Sequence, residues 1–552
     1  MFTFRGAEIT KSADITRSAD LTGPGFLRSR NALSGAGRTL LVTALLALGA
    51  TSCTLSSETA SGDTEPPVES APTAEVTLGA GDEVIATLDD RFQSYNVEMV
   101  EVTGGEFWSP YSAGNAKVTR PPIDLASERL RNLAKALGPV YIRVSGTWAN
   151  STFFDVDNTT NGTPPEGFGG VLTPDQWLGV KDFAEALDSE ITTSFASYGG
   201  VRDSSGNWIT DQAEALLRFS VDNDVPLAAV EMFNEPSLPV AMPDGYTPKQ
   251  FADDFKVLQS LTKQVKDDLI LVGPGTAAED TPLVISATFK SDEIFKHLGP
   301  QFDVFSFHAY PKVSERCASK EGPEIAFDKE FLARVATDSL YYRGVRDEFL
   351  PGAPIWITET AQAACGGDRW AATYRDMIRY VDTLGRLAAD GSDGDVVFHN
   401  TLAASDYGLL DEDGFKTRPN YWAAVMWKRL MGPKVLKAKA TTATKVADLY
   451  TYAHCSAPNG PTASGGKGVT YAVVNASTSE SRTVSTSSGK GVAYVMSSEN
   501  LDGTEVELNG QLLQASDDGT VPQTNGRKFT GSIEVPPTSV AFVVDTESKA
   551  CA

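Results

Sequence analysis

The stretch AAVEMFNEP (228–236) is a run of apolar residues that ends on a carboxylate. Its composition is typical of a buried strand, yet Asn234 and Glu235 close it, and a buried charge is costly unless it is paired or used. Helical patterns stand on both sides along the chain, at 175–188 and 246–267. A buried strand between helices that ends on reactive groups indicates an α/β fold with its site at the strand ends.

The same pattern repeats along most of the chain. Apolar, β-rich runs separated mostly by helical patterns lie at 92–99, 140–146, 192–199, 228–236, 269–275, 302–310, 354–361 and 395–401. Eight strands alternating with helices predict a (β/α)8 TIM barrel. The alternative is a doubly wound open sheet. It would carry a Gly-rich phosphate loop after its first strand, and NVEMVEVTGG (96–105) is not such a loop.

The pattern changes after the barrel. Residues 434–552 alternate apolar and polar positions with a period of two and are interrupted by Gly, Ser, Asn and Pro, which predicts a C-terminal antiparallel β-sandwich. We therefore expect an N-terminal strand at 76–90 that pairs with the sandwich, a catalytic barrel at 91–432 and the sandwich at 433–552.

The N-terminus has the pattern of an export signal. Arginines precede TLLVTALLALGA (39–50), an apolar run that suits a signal peptide and is short for a membrane span. Residues 1–53 are therefore expected to be an export segment, and the polar residues 54–75 a disordered linker. The segment resembles a bacterial lipoprotein signal in which Cys53 becomes lipidated. The alternative is ordinary secretion with Cys53 incidental. We expect an exported protein, extracellular or at the cell surface.

The net charge of the chain limits which classes of molecule it is expected to bind. The 552 residues carry a net charge of −25, which argues against binding to nucleic acid or to an anionic membrane surface. Apart from a lipid anchor at Cys53 no membrane contact is expected. The sequence shows no nucleotide-binding motif. We expect no metal, no cofactor and a monomer.

Three predicted strands end on groups that fit one chemistry. Glu235 ends the fourth strand, His308 and Tyr310 end the sixth, and Glu359 ends the seventh. Two carboxylates about 5 Å apart across a barrel would perform retaining glycoside hydrolysis, one as acid/base and the other as nucleophile. A glutamate at a strand end is more often a solvated or salt-bridged residue. The placement of this pair on strands four and seven is what favours catalysis.

Several motifs occur in one order that resembles glycoside hydrolase family 79, the heparanase and β-glucuronidase family, and its heparanase-like members in particular. They are RVSGT (143–147), FNEP (233–236), FHAY (307–310), ITET (357–360), DYGLLDEDGF (406–415), PNYW (419–422), YAHC (452–455), VELNGQLLQ (506–514) and the terminal ACA. The resemblance covers about residues 85–552. It implies a retaining hydrolase that cleaves β-glucuronosidic bonds in glucuronic-acid-containing oligosaccharides or glucuronides.

The resemblance also implies roles for individual residues. Glu235 matches the acid/base, Glu359 the nucleophile, and Asn234 the residue that holds the sugar 2-hydroxyl. Further positions match substrate contacts: Tyr310 and His308 beside the nucleophile, Glu98 and Thr147 at sugar hydroxyls, Tyr407 with the N–H groups of Gly366 and Gly367 around the glucuronate carboxylate, and Asn400 as an additional contact. Ordinary packing is the alternative for Glu98, Thr147 and Asn400.

Four cysteines are expected to form two disulfides in an exported protein. Cys455 and Cys551 match a bridge of the family, and Cys317 and Cys365 follow the neighbouring sixth and seventh strands. Residues 153–170 are short and acidic where animal heparanases have basic clusters and an excised segment, which argues against sulfated heparan sulfate as substrate. Two other functions stay open: a neutral-sugar β-glycosidase of the same barrel type, and a non-catalytic surface glycan-binding protein.

Overall fold

The computed structural model of the chain describes residues 74–111, 117–279, 287–442, 446–461 and 467–551. The predicted export segment and nearly all of the predicted linker lie outside these residues, and so does Cys53. Among the described residues, no helix combines the length and the apolar character needed to cross a membrane.

Eight parallel strands form a closed barrel, and a helix follows each strand. The barrel strands are β2 (Gln93–Asn96), β5 (Tyr141–Val144), β8 (Glu190–Thr193), β9 (Leu227–Glu231), β10 (Ile270–Ala277), β11 (Val304–His308), β12 (Ile355–Thr360) and β13 (Val396–His399). The helices that follow them are α2 (Glu128–Lys135), α3 (Pro174–Ala186), α4 (Asp211–Asp222), α5 (Pro248–Val265), α6 (Ser291–Leu298), α7 (Lys329–Phe349), α8 (Tyr374–Ala389) and α9 (Pro419–Leu430). Since β13 pairs with β2, the sheet has no open edge. The predicted (β/α)8 fold is confirmed, and the open-sheet alternative is excluded.

Local sequence sets where several of these helices begin. Both α3 and α5 start on a Thr-Pro-X-Gln sequence, at Thr173 and Thr247. In each, the threonine hydroxyl accepts the N–H of the glutamine three residues later, and the glutamine side chain accepts the N–H of the threonine. The proline occupies the first helical position, where no N–H is needed. These signals can be read from the sequence without any tertiary contact.

The connections at the carboxyl end of the barrel contain additional short elements. After β2 come a one-turn helix, α1 (Met99–Thr103), and a hairpin of β3 (Gly105–Trp108) and β4 (Lys117–Arg120). After β5 come β6 (Thr152–Phe154) and β7 (Gly170–Leu172), which pair in parallel. The sequence patterns did not predict the β3–β4 hairpin, because its strands have four residues each and its apolar positions are few.

The remaining strands form one large, mainly antiparallel sheet that includes both ends of the described chain. They are β1 (Ala74–Thr87), β14 (Met431–Thr442), β15 (Leu449–Ser456), β16 (Val469–Asn475), β17 (Arg482–Ser497), β18 (Glu507–Leu508), β19 (Gln511–Leu512), β20 (Arg527–Val535) and β21 (Ser539–Asp545). β1 pairs antiparallel with β14 and parallel with the start of β17. The sheet thereby folds over on itself and encloses an apolar core that includes Val76, Leu436, Tyr471 and Val543.

The other face of this sheet packs against the barrel. All seven residues of β16 and of β21 are buried, so both faces of these strands are covered. At the contact, the Tyr452 hydroxyl donates to Asp382 of α8 at 2.5 Å, and the Tyr374 hydroxyl donates to the Met496 carbonyl at 3.0 Å. A side chain at Gly385 of α8 would collide with the Tyr452 ring, so glycine permits this close approach.

Both predicted disulfides are present. Cys455 and Cys551 join β15 to the C-terminal residues of the sandwich. Cys317 and Cys365 join the connection after β11 to the connection after β12, so this bridge lies at the carboxyl end of the barrel beside Gly366.

Candidate active site

Glu359 lies on β12 near its carboxyl end, and both of its carboxylate oxygens have donors. Arg143 Nη1 donates to Oε1 at 2.9 Å, and the Tyr310 hydroxyl donates to Oε2 at 2.7 Å. Burial by itself would raise the pKa of Glu359. The positive charges of His308 and Arg143 and the hydrogen bond from Tyr310 outweigh burial and hold the pKa below its ordinary value. Glu359 is therefore an ionised carboxylate in a nearly closed site.

Glu235 lies just after β9 and faces Glu359 across the barrel. Its backbone has a φ of 49°, a left-handed conformation that costs a non-glycine residue free energy and is found most often at functional sites. Its side chain is 14% exposed, against 7% for that of Glu359. Glu235 is therefore the carboxyl group that solvent and a leaving group reach more easily.

His308, at the end of β11, lies between the two carboxylates. Its Nδ1 is 3.1 Å from Glu235 Oε1 and 3.6 Å from Glu359 Oε2. Burial by itself would lower the pKa of His308. The charge of Glu359 and the hydrogen bond to Glu235 outweigh burial and the nearby charge of Arg143, and the pKa is raised. A proton on Nδ1 is favoured, because Arg143 Nη2 lies 3.4 Å from Nε2 and can only donate to that nitrogen. The Nδ1–H then donates to Glu235.

The separation of the two carboxylates indicates what they can do. One oxygen of Glu235, one of Glu359 and a ring nitrogen of His308 all lie within 4.8 Å of one another. Inverting glycosidases separate their carboxyl groups by roughly 6.5–9.5 Å, and retaining ones by roughly 5–5.5 Å. These three residues could also coordinate a divalent cation. Both oxygens of Glu359 are already engaged, however, and one donor is a guanidinium that would repel a cation. The arrangement fits the retaining geometry better than a metal centre.

Arg143 and Glu231 form the base of the site, and the sequence patterns identified neither. Arg143 Nε donates to Glu231 Oε2 at 2.8 Å. Glu231 Oε1 accepts from the hydroxyls of Ser306 and Thr358. Each charge satisfies the other inside the barrel, where an unpaired charge would be very costly. A signal for both was present in the sequence, because each is a charged residue within an otherwise apolar run, at 140–146 and 228–236.

Two buried polar atoms beside the carboxylates have no partner among the described residues. They are Asn234 Nδ2 and Glu98 Oε2. The other amide atom of Asn234, Oδ1, accepts from Arg143 Nη2 at 2.9 Å, which turns Nδ2 away from the guanidinium. A buried donor without a partner costs about 1–3 kcal/mol, so these atoms are candidates to bind substrate hydroxyls.

Glu98 begins α1 and fills the space beside Gly146. A Cβ atom on Gly146, which has a φ of 89°, would lie 1.5 Å from Glu98 Oε2, so only glycine fits there. Burial, followed by the charge of Glu359, raises the pKa of Glu98 well above its ordinary value. Glu98 is therefore protonated and is a hydrogen-bond donor. Thr147 follows Gly146 and is partly exposed.

Asn400, at the end of β13, holds the other polar groups together. Its Nδ2 lies within 3.1 Å of Glu98 Oε1, 3.1 Å of the Tyr310 hydroxyl and 3.3 Å of the Tyr407 hydroxyl. Its Oδ1 accepts from Asn96 Nδ2 at 3.0 Å. Its polar atoms have protein partners, so Asn400 organises the polar groups of the site, and its role as a sugar contact stays a prediction.

Tyr407, Gly366 and Gly367 lie together, and we call these three residues the cradle. Gly366 and Gly367 have φ angles of 80° and 76°, and a Cβ on Gly367 would lie 3.0 Å from that of Tyr407. Within the part of the chain that the structure describes, neither glycine N–H has a protein acceptor. Burial is the main cause that raises the pKa of Tyr407 well above its ordinary value, so its hydroxyl keeps its proton. The cradle thus presents donors without a formal positive charge.

Arg316 lies directly behind the cradle. The sequence patterns did not identify this residue either. Its guanidinium donates to Asp406, to the Ser109 carbonyl at 2.5 Å and to the Gly367 carbonyl at 2.6 Å. It therefore joins the connections after β2, β11, β12 and β13. These contacts link positions up to 207 residues apart in the chain, so no local pattern could reveal them.

The structure thus brings the predicted site residues to one end of the barrel. Those within one hydrogen-bonded or contacting cluster around the carboxylates are Glu235, Glu359, Asn234, His308, Tyr310, Asn400, Glu98 and Tyr407. Gly366 and Gly367 adjoin Tyr407, and Thr147 lies at the rim next to Gly146.

Known proteins with similar sequences include heparanases, heparanase-like proteins and a β-D-glucuronidase. The chain is 25% identical over 509 residues to heparanase-like protein 1 of Arabidopsis thaliana, covering 80% of this chain and 88% of that one. It is 26% identical to baicalin-β-D-glucuronidase of Scutellaria baicalensis, and the match covers 76% of this chain and 83% of that one. It is 27% identical to heparanase of Gallus gallus, and the match covers 66% of this chain and 71% of that one.

Solved structures with a similar fold are glycosidases. An α-L-arabinofuranosidase from Thermotoga maritima superposes with a TM-score of 0.58 at 12% identity, covering 86% of this chain and 100% of that one. A 4-O-α-L-rhamnosyl-β-D-glucuronidase from Fusarium oxysporum gives 0.57 at 14% identity, with the same coverage. At these identities the likeness establishes the fold alone.

The family comparison establishes more. The model of the glycosyl hydrolase family 79 N-terminal domain matches residues 108–385, which contain both carboxylates and the strands that carry them. The chain therefore belongs to glycosyl hydrolase family 79 and is a glycoside hydrolase.

Proposed function

We propose that the protein is a retaining β-glucuronidase that acts through a covalent glycosyl-enzyme intermediate. The observation that carries the proposal is the pair Glu235 and Glu359, with carboxylate oxygens within 4.8 Å. That separation leaves no room for a water between the sugar and a general base on the opposite face, which an inverting mechanism needs.

In the first step, Glu359 attacks the anomeric carbon. A carboxylate oxygen of Glu359 forms a bond to C1 while the bond from C1 to the leaving oxygen breaks. Glu235 gives its proton to that oxygen, and the alcohol departs. Because His308 Nδ1–H donates to Glu235 Oε1, the transferred proton is assigned to Oε2. The low pKa of Glu359 keeps this nucleophile ionised.

In the second step, water releases the sugar. Glu235, now a carboxylate, takes a proton from water, whose oxygen bonds to C1 as the bond to Glu359 breaks. The product keeps the β configuration. Arg143, Tyr310 and His308 stabilise the carboxylate that leaves, as they stabilise it before the reaction.

The cradle supports a uronic acid as the sugar. A hydrogen bond to a carboxylate is charge-assisted and contributes about 1.5–3 kcal/mol. The Tyr407 hydroxyl and the two glycine N–H groups supply such donors, and Arg316 behind them adds positive potential that Asp406 partly neutralises. Asn234 Nδ2 is buried and has no partner among the described residues, which supports its assignment as the donor to the 2-hydroxyl. A relative in the same family is named for a β-D-glucuronidase activity.

Comparing a β-glucuronide with a β-glucoside on the same aryl leaving group tests the proposal. We expect the glucuronide to be strongly preferred, and Tyr407→Phe to lower kcat/KM on the glucuronide by about 10-fold or more while the glucoside stays poor. Tyr374→Phe is a matched control, because it removes a buried hydroxyl far from the cradle. If wild type cleaves the glucoside equally fast, the protein is a neutral-sugar glycosidase. Inverted product configuration would refute the mechanism.

We also propose that the enzyme works outside the cytoplasm. Its two disulfides require an oxidising compartment to form and persist. The N-terminal export pattern and Cys53 support secretion or a lipid anchor. Mass spectrometry of the mature N-terminus in an exporting host tests both: a diacylglyceryl group on Cys53 indicates the anchor, and an unmodified N-terminus indicates plain secretion.

A further inference from the structure

The β3–β4 hairpin crosses one side of the barrel opening. It begins at Gly105, directly after the turn of α1 that Glu98 starts. On the far side, the Tyr111 N–H donates to Asp406 at 3.2 Å, and Arg120 pairs with Glu412, both on the connection after β13. The structure describes residues 105–111 and 117–120 of the hairpin, and the tip at 112–116 lies outside the described residues.

The hairpin also packs against the cradle. A Cβ atom on Gly366 would lie 2.8 Å from Trp108 Cβ, so the hairpin backbone runs immediately beside Gly366. Arg316 fixes this contact, since its guanidinium donates to Ser109 O and lies 3.8 Å from the centre of the Tyr111 ring. One rigid segment therefore extends from Glu98 to the cradle.

Aromatic rings fill the space between these two ends. Phe107 packs edge-on against Trp148 with ring centres 4.8 Å apart. Lys117 Nζ lies 5.0 Å from the Trp108 ring and 5.6 Å from the Trp148 ring, which joins the two indoles. Trp148 directly follows Thr147. We call Trp108, Lys117 and Trp148 the wall.

The polar residues around the nucleophile and the cradle are deeply buried. Glu98, Asn400 and Tyr407 are exposed by only 3%, 2% and 2%, and Glu359 by 6%. An enzyme that cuts inside a chain needs an open cleft that continues past the cleaved sugar on both sides. Here Trp108 lies beside Gly366 of the cradle and Trp148 follows Thr147, so the wall borders the site between the cradle and Glu98.

The order of the carbon atoms in the sugar ring indicates which hydroxyl group lies on the side that the wall borders. In a glucuronate ring, C4 lies between C3 and C5, and C5 carries the carboxylate. With C1 at Glu359, the 2-hydroxyl at Asn234 and the carboxylate in the cradle, C3 and C4 fall towards Glu98. The 4-hydroxyl then lies between Glu98 and the cradle, on the side that the wall borders. O4 is the position through which β-glucuronate units in 1,4-linked polymers continue.

We propose that the wall closes the pocket beyond O4, so that the enzyme removes only terminal, non-reducing glucuronate units. The inference rests on the proposed function. It assigns to Trp108 and Trp148 the role of specificity-determining residues, and to Arg316 that of a positioning residue for the hairpin.

The products of the wild-type enzyme test this directly. An unsulfated tetrasaccharide of alternating glucuronate and N-acetylglucosamine, with glucuronate at the non-reducing end, should yield one free glucuronate and a trisaccharide. The pentasaccharide that adds N-acetylglucosamine on O4 of that glucuronate should not be cut. Early release of disaccharides or larger fragments, or cleavage of the capped compound at a similar rate, would overturn the inference.

A pair of small substrates separates this inference from the proposed function. An aryl β-glucuronide reports the function, and its 4-O-methyl derivative reports the wall. We expect the methyl group to lower kcat/KM by about 10- to 200-fold. Cleavage of both at equal rates leaves the function intact and refutes the wall. If neither is cleaved, the proposed function fails, and the corresponding pair of glucosides tests the wall.

Variants identify the residues responsible. Trp108→Ala combined with Trp148→Ala should raise the ratio of 4-O-methyl to unsubstituted activity by about 10-fold or more, because it removes the two rings. The matched control, Trp108→Phe with Trp148→Phe, keeps an aromatic wall and should raise the ratio far less. The ratio is measured within each variant, so partial loss of folded protein does not affect it. An unchanged ratio in the alanine variant would contradict the assignment. If that variant does not fold, the wild-type products decide the matter.

Discussion

Replacing Tyr310 with phenylalanine should move the acidic side of the pH profile. The Tyr310 hydroxyl donates to Glu359 Oε2 at 2.7 Å, and this bond helps to hold the pKa of Glu359 below its ordinary value. The substitution removes the donor but keeps the ring. Glu359 will then take up a proton at a higher pH and lose its nucleophilicity there.

The size of the shift follows from the bond that is lost. A hydrogen bond to a charged group contributes about 1.5–3 kcal/mol, and one pKa unit corresponds to about 1.36 kcal/mol. The acidic limb of kcat/KM should therefore move up by about 1 to 2 pH units. Arg143 still donates to Oε1, so Glu359 stays ionised near neutral pH and the variant should keep measurable activity.

The assay is kcat/KM for an aryl β-glucuronide between pH 3 and 8. Tyr452→Phe is the matched control, because its hydroxyl donates to the buried carboxylate of Asp382 at the sandwich contact. This control should lower stability without moving the limb. An acidic limb in Tyr310→Phe that coincides with wild type would refute the reasoning, since Glu359 would then not be the group that titrates.

Two further predictions concern other carboxyl groups. Glu235→Gln should retain the first step only on substrates whose leaving group needs no proton, and azide should restore turnover by giving a β-glycosyl azide; no such product would contradict the acid/base role. Burial raises the pKa of Glu101 to about 8. The folded protein therefore binds this proton more tightly than the unfolded chain does. The stability that Glu101 contributes is fully present below about pH 4.5 and is lost as the pH rises through about 8. Glu101→Gln should raise Tm at pH 8 and change it little at pH 4.5, and equal shifts at both would refute this.

The sequence alone was sufficient to predict the architecture, because each signal for it comes from residues that are close together in the chain. Apolar runs of strand length, helical spacing between them and Thr-Pro-X-Gln helix starts are each set by neighbouring residues. The change to a two-residue period near residue 434 likewise marks the sandwich. Glu235 and Glu359 could be identified because each lies close to the carboxyl end of a predicted strand, and a barrel brings all these strand ends to one place.

Only the tertiary structure placed the groups that tune these carboxylates. Arg143 and Glu231 read as misplaced charges in two strands until the barrel closes and pairs them at 2.8 Å. Asn400 contacts Glu98 and Tyr310, which lie 302 and 90 residues away in the chain. Arg316 contacts the Ser109 carbonyl, 207 residues away. The physical reason is the same for these groups: a hydrogen bond between positions so far apart in the chain exists only once the chain has folded.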